Sequence, residues 1–461
     1  MTGQRVRQLK SGHEADAIGD SLRRVASSSA VSFTILVTGA LLAYFSQMLI
    51  ARMIGVDSYG VYAYVLAWAT VLAYFCALGF DVALLRYIPA YRMTGSWSLL
   101  RGVTRYAEFC AVAASIAVGI CGITVLHIQS SSLSAELSQT FLIGFLLVPV
   151  LALLWLRCSM LRGYGVFLTA VSADRILREA ILMALIVIVV AIVHVNIGAQ
   201  AVMMMTLVGS VCGLAWAIIA ERDVRPSEVG AAAHHYDFSQ WNRTAAPLVI
   251  IAALDILMNR MGLIWLGWQG NIRQAGIYGL AFSIAFIVAL PRTAVNTLFA
   301  PTFSGHFARD ERDVLQQLVT RTTLWTFFAA SGIALFLWIL ASPLLRLFGP
   351  DFAEGLVALR ILLVGQVIAS AAGSPLYVMT MSHNERGAAG IFLASAVFTF
   401  TTTALFATWF GLVGAAIAGT LTLIVSNVAL MIFIKVRLNL LSGILGLLMQ
   451  PREAIRQAPA E

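Results

Sequence analysis

Charge is scarce in this chain of 461 residues: Asp, Glu, Lys and Arg together make 11% of it, where soluble domains carry roughly 25%. With 60% hydrophobic residues and a mean hydropathy of +0.88, that scarcity excludes an ordinary water-soluble domain. Lysine is nearly missing, two residues against 28 arginines. The ratio follows base composition as readily as function and carries no weight. The five cysteines (Cys76, Cys110, Cys121, Cys158 and Cys212) show neither pairing nor metal-ligand spacing and read as small buried hydrophobes. His127, His194, His306 and His383 fall near the ends of apolar runs without ligand spacing, so no metal or other cofactor is expected. A Gly-rich phosphate loop followed by Lys is also missing, which argues against ATP hydrolysis by this chain.

What the chain does have is long apolar runs. Twelve segments reach spanning length: 33–51, 61–80, 107–128, 140–157, 177–195, 200–220, 245–267, 277–300, 322–341, 356–379, 388–409 and 412–434, each near the ~20 residues that cross a bilayer. Residues 1–29 are polar and the first apolar run begins near Phe33, so that run is expected to remain as a helix rather than be cleaved. With both termini placed in the cytoplasm, 25 Lys and Arg fall on the inner side. Five (Arg52, Arg260, Arg273, Arg346 and Arg360) fall outside or within a span. That bias follows the positive-inside rule and absorbs the net charge of +8, leaving nothing to suggest nucleic acid. The expected division is a mobile basic tail (1–29), an N-lobe (30–220), a cytoplasmic inter-lobe linker (221–244), a C-lobe (245–437) and a cytoplasmic tail (438–461). The linker holds Pro226, His234, His235 and Asp237 and reads as solvated rather than as a metal site.

The seventh and eighth spans carry charge where lipid would be. Asp255 lies near the middle of 245–267 with Arg260 beyond it, and Arg292 follows Pro291 in 277–300. Ionisable groups at that depth cost several kcal/mol unless they face protein or water, so these are expected to line an internal polar cavity, which points to a transporter. Asp255 and Arg260 stand roughly 140° apart on a helical wheel, so Arg260 needs a partner elsewhere or an anionic ligand. Asp255 and Asn259, one turn apart, form a candidate site for binding and releasing H+ or Na+. Asp174, Arg175, Arg178 and Glu179 open the fifth span, where Asp174/Arg178 and Arg175/Glu179 have the i,i+4 spacing of ion pairs. Arg52 and Arg86 mark the outer and inner ends of the first two spans, and Glu108 lies early in the third.

The chain also repeats itself. Gly55-Val-Asp-Ser-Tyr-Gly60-Val-Tyr62 between spans one and two is echoed by Gly270-Asn-Ile-Arg-Gln-Ala-Gly276-Ile-Tyr278 between spans seven and eight, and Pro89-Ala-Tyr91 by Pro301-Thr-Phe303. The offset from Tyr62 to Tyr278 is 216 residues, nearly half the chain. The fold class expected is an all-α polytopic membrane protein with about twelve transmembrane helices. Since each half has an even number of spans, the two six-helix lobes should be related by a pseudo-two-fold axis along the membrane normal.

These motifs resemble a known family. Ala51-Arg52-Met-Ile-Gly55 through Tyr62, Leu78-Gly79-Phe80-Asp81 with Leu85-Arg86-Tyr87-Ile88-Pro89, Leu347-Phe348-Gly349-Pro350-Asp351-Phe352, Ala358-Leu359-Arg360-Ile361-Leu362 and Gly411-Leu-Val-Gly414-Ala-Ala-Ile-Ala418 are similar to the polysaccharide transporters. These are Wzx-like lipid-linked oligosaccharide flippases of the multidrug/oligosaccharidyl-lipid/polysaccharide exporter superfamily. The resemblance implies a bacterial inner-membrane protein that moves an undecaprenyl-pyrophosphate-linked glycan outward by alternating access, for lipopolysaccharide or exopolysaccharide synthesis. Its partners would be the bilayer, the lipid-linked oligosaccharide and the polysaccharide polymerase and export machinery.

For such a substrate, arginine suits the pyrophosphate, because guanidinium grips phosphate oxygens bidentately and stays charged when partly desolvated. Arg260 and Arg292 lead the candidates, followed by Arg175, Arg178, Arg52 and Arg86. One departure stands out: such proteins often carry Asp five residues before the final Gly of helix seven, and here that residue is Gly262. The alternatives are a cation-coupled multidrug exporter of the same superfamily, which wants an acidic aromatic cavity, and a lipid II flippase, which typically has fourteen helices. A glycan ligase or polymerase would need a large outer loop, and the longest here is about 342–355.

Overall fold

The computed structural model describes residues 2–129, 133–193, 197–296, 312–382 and 384–444, with side chains from Val37 onward apart from 190–193, 312, 313 and 385. Pro301, Phe303, His194, His306, His383 and residues 445–461 lie outside the described residues. In chain order the helices are α1 (Thr2–Cys76), α2 (Phe80–Met93), α3 (Trp97–Ile128), α4 (Ala135–Gly163), α5 (Phe167–Val171), α6 (Arg178–Val193), α7 (Ala199–Val224) and α8 (Ser227–Ala231). There follow α9 (Phe238–Trp268), α10 (Ile272–Phe286), α11 (Arg312–Ile339), α12 (Ala341–Phe348), α13 (Leu356–Ala371), α14 (Pro375–Met381) and α15 (Glu385–Leu438). Every regular element among the described residues is helical.

Nine of the described helices are long and apolar enough to cross a membrane. Two of these cross twice, because Gly55 (φ 74°) kinks α1 and Gly411 (φ 54°) kinks α15. A further crossing is made by α5, a π-helical turn at Ser172–Leu177 and α6, which run end to end. The twelve expected spans are thereby accounted for, with local differences. The fifth begins at Phe167 rather than at 177, so Asp174 and Arg175 sit inside it, on the π turn. The second breaks at residues 77–79, where Leu78 (φ 50°) and Gly79 (φ 75°) both take left-handed backbone. The eighth passes through a 3-10 turn at Ile287–Ala289, immediately before Pro291, which lacks the N–H that a regular turn would use. The helical backbone of α1 also runs back to Thr2 through the segment expected to be a mobile tail. That segment contains no proline to stop it.

The two lobes meet along α1, α9 and α10. Gly60 and Gly276, the equivalent glycines of the two repeats, face each other across this seam. A Cβ on Gly276 would lie 2.7 Å from the Gly60 Cα, and one on Gly60 would lie 2.2 Å from the Ile272 carbonyl oxygen. Around them, at the end that the charge bias assigns to the outside, Tyr59 packs on Phe352, Tyr44 packs on Phe348 and Arg52 donates to the Leu347 carbonyl. Arg273 there meets Asp351 and Glu354 at 3.1 Å and Asp57, from the other lobe, at 3.8 Å. The lobes are therefore closed at the outer end. At the inner end α11, α13 and α15 make no comparable contact with the N-lobe among the described residues.

The segment 221–244 is mostly exposed, as a solvated linker would be, but it is anchored at a few points. Val229 is fully buried, the His235 N–H donates to Ser98 at 3.3 Å, and Arg101 donates to the Ala232 carbonyl at 2.5 Å. Asp237 caps α9 by accepting from the Gln240 N–H at 3.1 Å. The first turns of α9 then join an N-lobe core in which Trp241, Ala245 and Leu248 pack with Phe80, Leu84 and Leu100. Ile251 and Met258 pack instead with Leu315, Phe392 and Leu430. The packing boundary between the lobes thus falls within α9. At the other terminus, Asn439 (φ 53°) turns the chain back and the Gln316 side chain exchanges two 2.8 Å hydrogen bonds with Leu441. The first residues of the expected tail are therefore held against the C-lobe.

Gly60→Ala adds a methyl group that the seam has no room for, at a cost of about 1–3 kcal/mol. The variant is expected to loosen the outer closure. In a background without the native cysteines, a Gln47→Cys reporter should then react several-fold faster with a membrane-impermeant thiol reagent. Unchanged reactivity would show that this contact does not hold the outer end shut.

Candidate functional site

Helix α9 crosses from one lobe to the other, and its polar residues lie along the crossing. Asp255, Asn259 and Arg260 are all half-buried. The Asn259 amide donates to the backbone carbonyl of Asp255 at 2.9 Å, so it is satisfied within its own helix rather than by the carboxylate. Asp255 is set electrostatically against Arg292, whose guanidinium also donates to the Ala369 carbonyl at 3.4 Å. Asp255 and Arg292 are thus within electrostatic range of one another, with no direct ion pair between them. Arg260 is different. It has no hydrogen-bonded or ion-paired partner among the described residues and stands in electrostatic range of the Tyr59, Tyr278 and Tyr74 hydroxyls. Neutral hydroxyls offset little of the cost of holding that charge in the membrane.

The N-lobe supplies the facing group. Gly209 and Gly213 of α7 bring the π turn close, with Cβ positions 2.8 Å from the Arg178 carbonyl oxygen and 3.0 Å from that of Ala173. This is the close approach that small residues permit between membrane helices. The extra residue of the π turn changes the pairing that a regular helix would give. Arg178 bonds Asp174 at 3.3 Å as expected, but its second contact is Glu179 at 2.9 Å, while Arg175 turns to Asp174 at 3.4 Å and leaves Glu179. Arg178 is thus held between two carboxylates. Arg175 remains 60% exposed and so keeps most of its surface for a ligand.

Tyr74 joins the two sides. Its hydroxyl interacts electrostatically with Asp81, Asp174 and Arg175 of the N-lobe and with Asp255 of α9. Its ring lies 4.2 Å from that of Trp155. The structure therefore gathers Arg260, Arg292, Arg175, Arg178 and Asp255 around one inter-lobe polar region. It does not bring Arg52 or Arg86 there: both are exposed, Arg52 at the outer closure and Arg86 on α2. Tyr74 and Asp81 were not among the residues singled out from sequence. Tyr74 is hidden in an apolar run, but Asp81 carries a legible signal, since it directly follows the Gly79 break in its span. Also unforeseen is the triad of Arg157 with Glu108 at 2.6 Å and Glu221 at 2.8 Å, which ties α3, α4 and α7 at the inner end.

The profile of a family described as polysaccharide biosynthesis protein matches residues 49–354. The chain belongs to that family. No curated protein matches it in sequence. In fold, the chain is similar to an inward-facing multidrug resistance MATE family transporter of the MOP superfamily (TM-score 0.70, 13% identity, 87% of this chain and 94% of that one). It is likewise similar to the lipid II flippase MurJ in an inward closed conformation (0.61, 13%, 94% and 94%). A third neighbour is a MOP superfamily transporter from Pyrococcus furiosus whose binding pocket is described as reversed in polarity (0.67, 13%, 89% and 94%). The chain thus shares the two-lobed fold of these transporters and is a multi-pass membrane protein.

Removing Arg157 from this protein would strand two carboxylates, of which Glu221 is 3% exposed. Arg157→Ala is expected to cost stability toward the low end of the roughly 3–5 kcal/mol typical of breaking a buried pair, since Glu108 still reaches solvent. The melting temperature of the purified protein checks this, and a value equal to wild type would deny the triad a structural role.

Proposed function

We propose that this protein is a flippase that carries an undecaprenyl-pyrophosphate-linked oligosaccharide across the bacterial inner membrane, with both termini cytoplasmic. It would deliver the glycan to the polymerase and export machinery of surface polysaccharide synthesis. The observation that carries this reading is Arg260, a cation within a membrane span that has no carboxylate partner among the described residues. Family membership supports the polysaccharide context, and the MOP fold supports movement by alternating access.

In this scheme the substrate diphosphate settles between Arg260 and Arg175 while the lobes are closed outside. The lipid stays in the bilayer and the glycan occupies the space between the lobes. The protein performs no chemistry on its cargo. It replaces the water lost by the phosphates with guanidinium and tyrosine hydroxyl donors. Opening the Gly60–Gly276 seam then releases the substrate to the other leaflet. Asp255, with Arg292 in electrostatic range, is the candidate for H+ or Na+ coupling. A cation-coupled drug exporter needs an acidic cavity, whereas here the carboxylates Asp174 and Asp255 are already opposed by arginines.

Arg260→Ala is expected to abolish glycan export at a normal protein level, and Arg260→Lys to retain a fraction of it, because lysine keeps the charge without the bidentate geometry. Export from whole cells, normalised to membrane protein, is the measurement. A wild-type rate in the alanine variant would remove Arg260 from the mechanism.

A further inference from the structure

A second cationic site lies away from the inter-lobe region, where the anchored segment 221–244 meets the inner end of α3. Arg101, Arg105 and Arg225 all act electrostatically on the His234 ring. Of the nearby carboxylates, Glu108 and Glu221 are paired to Arg157 and Asp237 caps α9, while Asp223 and Glu228 are exposed. Two polar atoms in this spot, the Arg101 Nε and the His234 Nδ1, are buried with no hydrogen-bond partner. Buried polar atoms left unpaired among the described residues are costly, and Arg101 and His234 are within electrostatic range of one another. The His234 imidazole is held below its ordinary pKa by burial and then by Arg101, Arg105 and Arg225, which is the environment of a ring waiting for negative charge.

The surroundings specify what kind of anion. His234 stacks on Tyr236 (6.0 Å, 18°), which stacks on Phe238 (5.2 Å, 9°). Tyr236 and Phe238 stay 42% and 49% exposed. Arg105 begins a stripe along one face of α3 that continues through Phe109, Val112, Ile116 and Ile120, all exposed. Such a stripe on a spanning helix faces acyl chains, so Arg105 and the aromatic pair stand at headgroup depth, where tyrosine and arginine anchor proteins to the interface.

We propose that Arg101, Arg105, Arg225 and His234 form a binding site for the phosphate of an anionic phospholipid of the inner leaflet, with Tyr236 and Phe238 against its glycerol and upper acyl chains. The bound headgroup supplies the acceptor that Arg101 Nε and His234 lack. It also fastens the anchored segment, and with it the start of α9, to the bilayer.

The test uses full-length protein and native mass spectrometry with phosphatidylglycerol, phosphatidylcholine and geranylgeranyl pyrophosphate as probes. Wild type is expected to retain phosphatidylglycerol in preference to phosphatidylcholine. Arg105→Gln and Arg225→Gln, which leave the Arg101–Ala232 contact intact, should each lower that retention about fivefold, the scale of one arginine at an anionic surface. Arg222→Gln and Arg243→Gln, exposed residues of the same segment, should leave it unchanged. Equal retention of the two phospholipids, an equal loss in the control variants, or retention of the pyrophosphate alone would each overturn the proposal. The last outcome would assign the patch to the transported substrate. Because the readout is phospholipid retention, failure here leaves the Arg260 reading of transport standing, and failure there leaves this site standing.

Discussion

A guanidinium in the hydrocarbon layer must be matched by water, a carboxylate or an anion, and the inter-lobe region of this protein is arranged around that requirement. Arg178 is matched twice, by Asp174 and Glu179, and Arg292 has the Asp255 carboxylate within electrostatic range. Arg260 is left with tyrosine hydroxyls. A protein selected only for stability would supply a carboxylate or replace the arginine with an apolar residue, which often costs nothing. Keeping the cation unpaired at a moving interface makes physical sense if the missing negative charge arrives with a ligand.

The repeat provides the movement. Gly60 and Gly276 let two helix backbones touch where any side chain would hold them apart, so the outer end closes tightly over an apolar core that both lobes share. The surrounding bonds, Arg273 to Asp57 and Arg52 to Leu347, are few and exposed, and exposed ion pairs contribute little each. A seam built this way closes without binding the lobes irreversibly. The inner end is organised differently, because α9 begins in the N-lobe core, packs in the C-lobe core at Ile251 and Met258 and ends in the cluster the two lobes share. It is a mechanical link as well as the carrier of Asp255 and Arg260.

Much of this was legible in the residues. Apolar runs alone specify the crossings, and the repeated Gly-x-Tyr motif marks the glycines that meet at the lobe seam. Arg260 could be recognised as lacking an intrahelical partner from its angular distance to Asp255. Pairing across helices was not legible: that Asp255 faces Arg292, or that Arg157 collects Glu108 and Glu221, depends on packing that no periodicity encodes. The π turn at Ser172–Leu177 defeated the i,i+4 expectation for Arg175 and Glu179, since that spacing presumes a regular helix. The 221–244 segment is mostly exposed, as its polarity suggests, yet it is anchored through backbone groups and the buried Val229 and Trp241, which composition does not reveal.

Whether Arg260 supplies the counter-charge to a diphosphate is tested most directly by equilibrium binding of geranylgeranyl pyrophosphate to purified wild-type and Arg260→Gln protein, with geranylgeraniol as the uncharged control. Loss of one charge-assisted, bidentate contact should weaken pyrophosphate binding roughly ten- to a hundredfold and leave the alcohol unaffected. Equal pyrophosphate affinity in the two proteins would contradict a phosphate role for this arginine.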